Sequence, residues 1–115
     1  MGLPQEGEQL SFEEQFAQLP EVVLRYLEHV RVQKRLADRT HTLYALDLIK
    51  LQQFAQQAGL QGAEGLLALQ PAQIRRFAAQ MHSAGRSPRG IALILSGWRS
   101  FFRWAAQQEL VPFNP

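Results

Sequence analysis

The stretch from Ser87 to Trp104 constrains this chain more than any other. It reads Ser-Pro-Arg-Gly-Ile-Ala-Leu-Ile-Leu-Ser-Gly-Trp-Arg-Ser-Phe-Phe-Arg-Trp. Ser87 suits an N-cap, because its hydroxyl can accept from an unpaired N–H of the first turn. Pro88 then falls at the first helical position, where its missing N–H costs nothing. Beyond it, Ile91, Ile94, Leu95, Trp98, Phe101, Phe102 and Ala105 recur at spacings of three and four. That stripe is wide enough to bury two or three aromatic rings. Arg89, Ser96, Arg99 and Arg103 fall off it, which gives one long helix a core face and a basic face. Shorter helices around it would depend on it for stability, since helical propensity alone does not hold them.

The rest of the chain supplies such helices. Pro20 to Arg35 carries a stripe of Val23, Tyr26, Leu27 and Val30, with Arg25, Glu28, Arg31 and Lys34 outside it. After a connection at residues 36–39, with Asp38 as the expected cap, a second helix runs from Arg39 to Ala58. Tyr44, Leu48, Leu51, Ala55 and Ala58 keep its apolar spacing, and Gly59 is placed to end it. Residues 60–70 read as a linker anchored by Leu66, Leu67 and Leu69. Pro71 opens a third helix with an apolar face of Ile74, Phe77, Ala78 and Met81. No alternation typical of strands occurs between turn signals. These patterns predict an all-α fold, a compact bundle of four main helices. Residues 1–18 are expected to be an acidic, largely disordered leader, within which Ser11 and Glu14 could form a capping box on a short turn. Residues 19–111 form the helical domain, and residues 112–115 begin a linker.

At 115 residues the chain suffices for one core and not two. It has no cysteine, so disulfides and thiolate metal sites are excluded and a reducing compartment fits. No apolar run approaches the ~20 residues of a membrane span. No basic segment followed by an apolar one opens the sequence, so no signal peptide is expected. The expectation is a cytoplasmic protein with no membrane partner. The net charge of +2 hides an asymmetry. Residues 1–28 carry six acidic residues against one basic, and residues 29–115 carry eleven basic against four acidic. A basic body favours a polyanionic partner.

Catalytic chemistry is absent from the pattern. His29, His41 and His82 lie on separate elements, and none has a carboxylate or second histidine three or four residues after it, so no metal site is expected. Gly85 to Gly90 has the wrong spacing for a phosphate loop and contains a proline. Ser87 is explained as a cap, and Tyr26 and Tyr44 as core. Neither a cofactor nor a small-molecule substrate is indicated. What remains is a cationic surface: Lys34, Arg35, Arg39 and His41 near one helix start, and Arg75, Arg76, Arg86 and Arg89 near another. Arginines beside helix N-termini suit phosphates. The same residues are equally compatible with a merely solvated face.

Three pieces of sequence carry a resemblance. The first is Tyr26-Leu-Glu-His-Val, Leu36, Thr40, Tyr44-Ala-Leu-Asp47-Leu48 and Phe54. The second is Gly85-Arg-Ser-Pro-Arg89, then Leu95-Ser96 and Arg99-Ser-Phe-Phe102-Arg-Trp104. The third is Leu110-Val-Pro-Phe-Asn114-Pro115. Over residues 20–115 the chain resembles the N-terminal core-binding (SAM-like) domain of tyrosine site-specific recombinases of the Xer type, its XerC branch in particular. Departures from the family pattern include Ala37 for a capping Ser, Leu93 and Ile94 where many members carry Arg, and Gly97 for the usual Ala.

The resemblance implies a four-helix domain that clamps one face of a double-stranded DNA half-site. It places Arg39, Thr40, His41 and Tyr44 at or near one contact, and Arg86, Ser87, Arg89 and Arg99 at a second. It further implies a catalytic domain beyond the Asn-Pro junction, so that this chain is a fragment unable to cut DNA. The parent would exchange strands through a phosphotyrosine and resolve chromosome dimers at cell division, with a XerD-like recombinase and an FtsK-like translocase as partners. The competing expectation is a helical protein–protein adaptor. There the basic face is only solvated, and Trp98, Phe101 and Phe102 capture a partner helix.

Overall fold

A computed structural model describes residues 10–111 as six helices: α1 (Phe12–Ala17), α2 (Glu21–Lys34), α3 (Asp38–Gln57), α4 (Gly62–Leu67), α5 (Pro71–Ser83) and α6 (Pro88–Gln107). The fold is all-α, and α2, α3, α5 and α6 are its four main helices. The expected start of α6 is observed. Ser87 is extended at the N-cap, its Oγ accepts from the Gly90 N–H at 3.0 Å, and Pro88 follows.

The apolar stripe of α6 is the centre of the core. Trp98, Phe101, Phe102 and Ala105 are almost wholly buried, and Ile91, Ile94 and Trp104 nearly so. Two groups of rings meet on this helix. Phe54 of α3 stacks on Phe77 of α5 with centroids 5.0 Å apart, and Trp98 meets both edge-on at 6.0 and 6.3 Å. One turn on, Phe101 lies edge-on to Tyr26 at 5.4 Å, and Trp104 stands 5.6 Å from the same ring. Edge-to-face pairs add about 1 kcal/mol each beyond their burial. Tyr26 keeps its polar atom satisfied by donating to Ser100 Oγ at 2.9 Å. The rings that an adaptor would offer to a partner are therefore taken up by the domain's own interior, which leaves that expectation without its surface.

Several local expectations need correction. Asp38 does not cap α3. Ala37 is extended at the N-cap and has no side-chain cap, and its carbonyl accepts from His41 N–H at 2.9 Å. Asp38 is thus the first helical residue, where its charge meets the positive end of the helix dipole. Ala58 is exposed, because α3 ends at Gln57 and Ala58 caps it. The linker at residues 60–70 contains α4, although its two glycines disfavour a helix. Burial of Leu66 and Leu69 overrides that preference. Gly65 is part of the reason: a Cβ there would come within 2.6 Å of the Leu60 backbone carbon.

The capping box at Ser11 is present, with Ser11 Oγ accepting from Glu14 N–H at 3.1 Å and Glu14 Oε1 accepting from Ser11 N–H at 2.9 Å. It starts α1, which packs on α3. Gln52, a polar residue of the core, donates to the Gln18 carbonyl at 3.3 Å and ties the end of α1 to α3. Residues 1–9 of the acidic leader and residues 112–115 of the expected linker lie outside the described residues.

Candidate nucleic-acid interface

The two longest helices, α3 and α6, pack against each other, and their outward faces make one continuous surface. Two depressions share it. The first is lined by Lys34, Thr40, Tyr44, Ser96, Arg99 and Arg103, among others. The second includes Leu46, Asp47, Lys50, Gln53, Arg86 and Gly90. Both also touch Asp47, Leu43 and Leu93. The rim is cationic at each end. Among the described residues the one salt bridge joins Arg31 and Glu28 on α2, away from this surface. The arginines of α6 are thus left without a carboxylate partner there.

The expected site residues divide accordingly. Thr40, Tyr44 and Arg99 line the first depression together, and Arg86 lines the second. Tyr44 is half-buried and not core, since its hydroxyl accepts from Lys34 Nζ at 3.3 Å and the ammonium sits 5.6 Å from the ring centroid. His41 lines neither depression and has its ring 6.3 Å from Phe16 of α1. Arg39, Ser87 and Arg89 are exposed near the helix starts but line neither depression. The Ser87 hydroxyl is engaged by its own helix. At the start of α3, Asp38 puts a negative charge where a phosphate would otherwise find free N–H groups.

Residues outside the expected contact set complete the surface. Lys50 lies at helical spacing from Leu43 and Leu46, and Arg103 one turn beyond Arg99, so the outward stripes were visible once an outward face was sought. Asp47 is different. It is half-buried at the crossing of α3 and α6, and its carbonyl accepts from the Trp98 indole N–H at 2.8 Å. The crossing is tight because position 97 is glycine. A Cβ there would lie 2.6 Å from Asp47 Oδ2 and 3.3 Å from its Cγ.

Burial pushes the Asp47 carboxyl up to about 6, against the pull of Lys50 and Arg86. Burial also pushes the Lys50 ammonium down, helped by Arg86. Because the folded carboxyl holds its proton more tightly than the unfolded one, stability should fall as pH rises from near 3.8 through about 6 and stay low above that. Asp47→Asn should remove this slope and gain about 1 kcal/mol at neutral pH, a figure reduced for the carboxyl's solvent exposure. Urea midpoints across that pH range measure it.

Among the described residues, no group of three or more His, Cys, Asp or Glu gathers as metal ligands would, and no helix is long and apolar enough to cross a membrane.

The chain is 40% identical over 93 residues to tyrosine recombinase XerC 1 of Ralstonia nicotianae, covering 78% of this chain and 27% of that protein. It is 36% identical over 96 residues to tyrosine recombinase XerC of Ralstonia pickettii, covering 81% and 28%. For tyrosine recombinase XerC of Pseudomonas entomophila the identity is 31% over 90 residues, covering 78% and 29%. The chain therefore spans under a third of the length of these curated relatives. No solved structure matches it. The family described as phage integrase, N-terminal SAM-like domain, matches residues 23–109, from within α2 to just past the end of α6. The chain belongs to that family.

Proposed function

We propose that this chain is the DNA-binding domain of a Xer-type tyrosine recombinase and clamps one face of a double-stranded recombination half-site. The observation that carries the reading is the cationic surface shared by α3 and α6, on which Arg86, Lys50, Lys34, Arg99 and Arg103 surround two depressions. Guanidinium groups without carboxylate partners are free to pair with phosphate. Family membership and the names of the relatives support the same assignment. Arg39, Thr40, His41, Tyr44, Arg86, Ser87, Arg89 and Arg99 are the proposed contact set, with Lys34, Lys50 and Arg103 added by the geometry.

Strand cutting and rejoining would belong to a catalytic domain of the parent protein, in the cytoplasm, where it would resolve chromosome dimers at cell division. A XerD-like recombinase and an FtsK-like translocase are the proposed partners. This domain's share of that work is to bind and orient DNA, and no bond is made or broken by it.

The test is a fluorescence-anisotropy titration of the 115-residue chain with a Xer-type half-site duplex and a scrambled duplex. Binding should weaken steeply between ~50 and ~200 mM salt, because each neutralised phosphate releases counterions. Tighter binding to the half-site indicates sequence reading, and equal binding indicates a nonspecific clamp. No binding at low salt overturns the proposal.

A further inference from the structure

The middle of the cationic surface is apolar apart from the half-buried Asp47. Leu93 of α6 is 66% exposed and Leu43 of α3 is 58% exposed. Both side chains line both depressions, so they form the ridge between them. Neither position follows from the bundle's own packing. On α6 the outward stripe is otherwise polar, running Arg89, Ser96, Ser100 and Arg103 at helical spacing with Leu93 inside it. On α3 Leu43 stands one turn from both Arg39 and Leu46, with Lys50 a turn beyond. Leaving two leucines this exposed forgoes the stabilisation that burying them would bring.

We propose that the Leu43–Leu93 ridge reads thymine, by packing against thymine 5-methyl groups in the major groove. The inference rests on the DNA-binding reading above and names what that face would distinguish. Charge fixes the class of occupant. Arg86 and Lys50 stand at one end of the ridge and Lys34, Arg99 and Arg103 at the other, a pattern complementary to two phosphate backbones on either side of a groove. Within that groove the apolar group carried by a base edge is the methyl of thymine. Leucine has no donor or acceptor to offer the other base edges. An A·T pair presenting thymine under the ridge is therefore favoured, and a G·C pair leaves polar edges against leucine methyls.

The experiment compares the 115-residue chain on two DNA duplex polymers, alternating deoxyadenosine–thymidine and alternating deoxyadenosine–deoxyuridine, which differ only in the 5-methyl group. Each methyl buried against leucine should tighten binding about fourfold, so wild type should prefer the thymine polymer by about four- to sixteenfold. The Leu43→Ala/Leu93→Ala variant should bind both polymers equally, at the wild-type affinity for uracil, with unchanged circular dichroism. Arg99→Ala/Arg103→Ala should weaken both and keep the ratio. Equal wild-type affinity for the two polymers overturns the ridge as a thymine reader while leaving DNA binding intact. So does an alanine variant that loses equally on both. Absence of salt-sensitive binding to either polymer removes the DNA-binding reading, and this inference with it.

Discussion

Trp98→Ala should leave the domain barely folded. Trp98 is 1% exposed and meets both rings of the Phe54–Phe77 stack edge-on, in the middle of the α6 stripe. Truncating a buried Trp costs about 3–5 kcal/mol, from lost transfer energy and the cavity left behind. The indole N–H that holds the α3 carbonyl of Asp47 also goes, for about 1 kcal/mol more. A domain of this size has roughly 5–15 kcal/mol in total. The thermal midpoint by far-ultraviolet circular dichroism should drop by about 15 °C or more. Leu93→Ala, on the exposed face of the same helix, should stay within about 0.5 kcal/mol of wild type. If Trp98→Ala melts with wild type, α6 is not the organising helix.

Arg99→Ala/Arg103→Ala should leave the fold unchanged and weaken DNA binding roughly tenfold or more. Both guanidinium groups are exposed on the lip of the first depression, one helical turn apart. Neither has a salt-bridge partner among the described residues. Each lost phosphate contact should lower the log–log salt slope by about 1, so the double variant should lose about 2. Arg76→Ala, exposed on α5 and lining neither depression, is the control and should change little. A slope unaffected by the α6 pair would move the DNA contact to another face of the bundle.

Much of the fold is legible because its signals are local. The α6 start needs only Ser87, Pro88 and the Gly90 N–H, all within four residues. The stripes of α2 and α6 can be read from spacing alone, and Tyr26, Leu27, Val30, Trp98 and Phe101 are buried as that spacing requires. What sequence could not supply depends on which helices meet. Residues 62–67 look like a glycine-containing connection until Leu66 and Leu69 are given a core to enter. Trp104 lies off the expected stripe, yet is buried because α2 brings Tyr26 and His29 against it. The neighbour of His41, Phe16, likewise comes from another helix, α1, and cannot be read from spacing. The candidate surface follows the same rule. Its arginines are visible as charges, but the Leu43–Leu93 ridge joins positions fifty residues apart and exists only once α3 and α6 have crossed.

The contact between Gly97 and Asp47 ties the history of two positions together. In the middle of an exposed helix, exchanging glycine for alanine would ordinarily gain about 1 kcal/mol. Here part of that gain is offset, because the added methyl would come within 2.6 Å of Asp47 Oδ2 and the carboxylate would have to swing aside. The offset disappears if residue 47 becomes smaller and grows if it becomes larger. Neither change can be valued without knowing the other, so the two sites are energetically coupled. Because Asp47 also sits between the cations of the surface, a step taken for helix packing would alter the charge offered to DNA. Stability and the proposed recognition are therefore coupled at a single helix crossing.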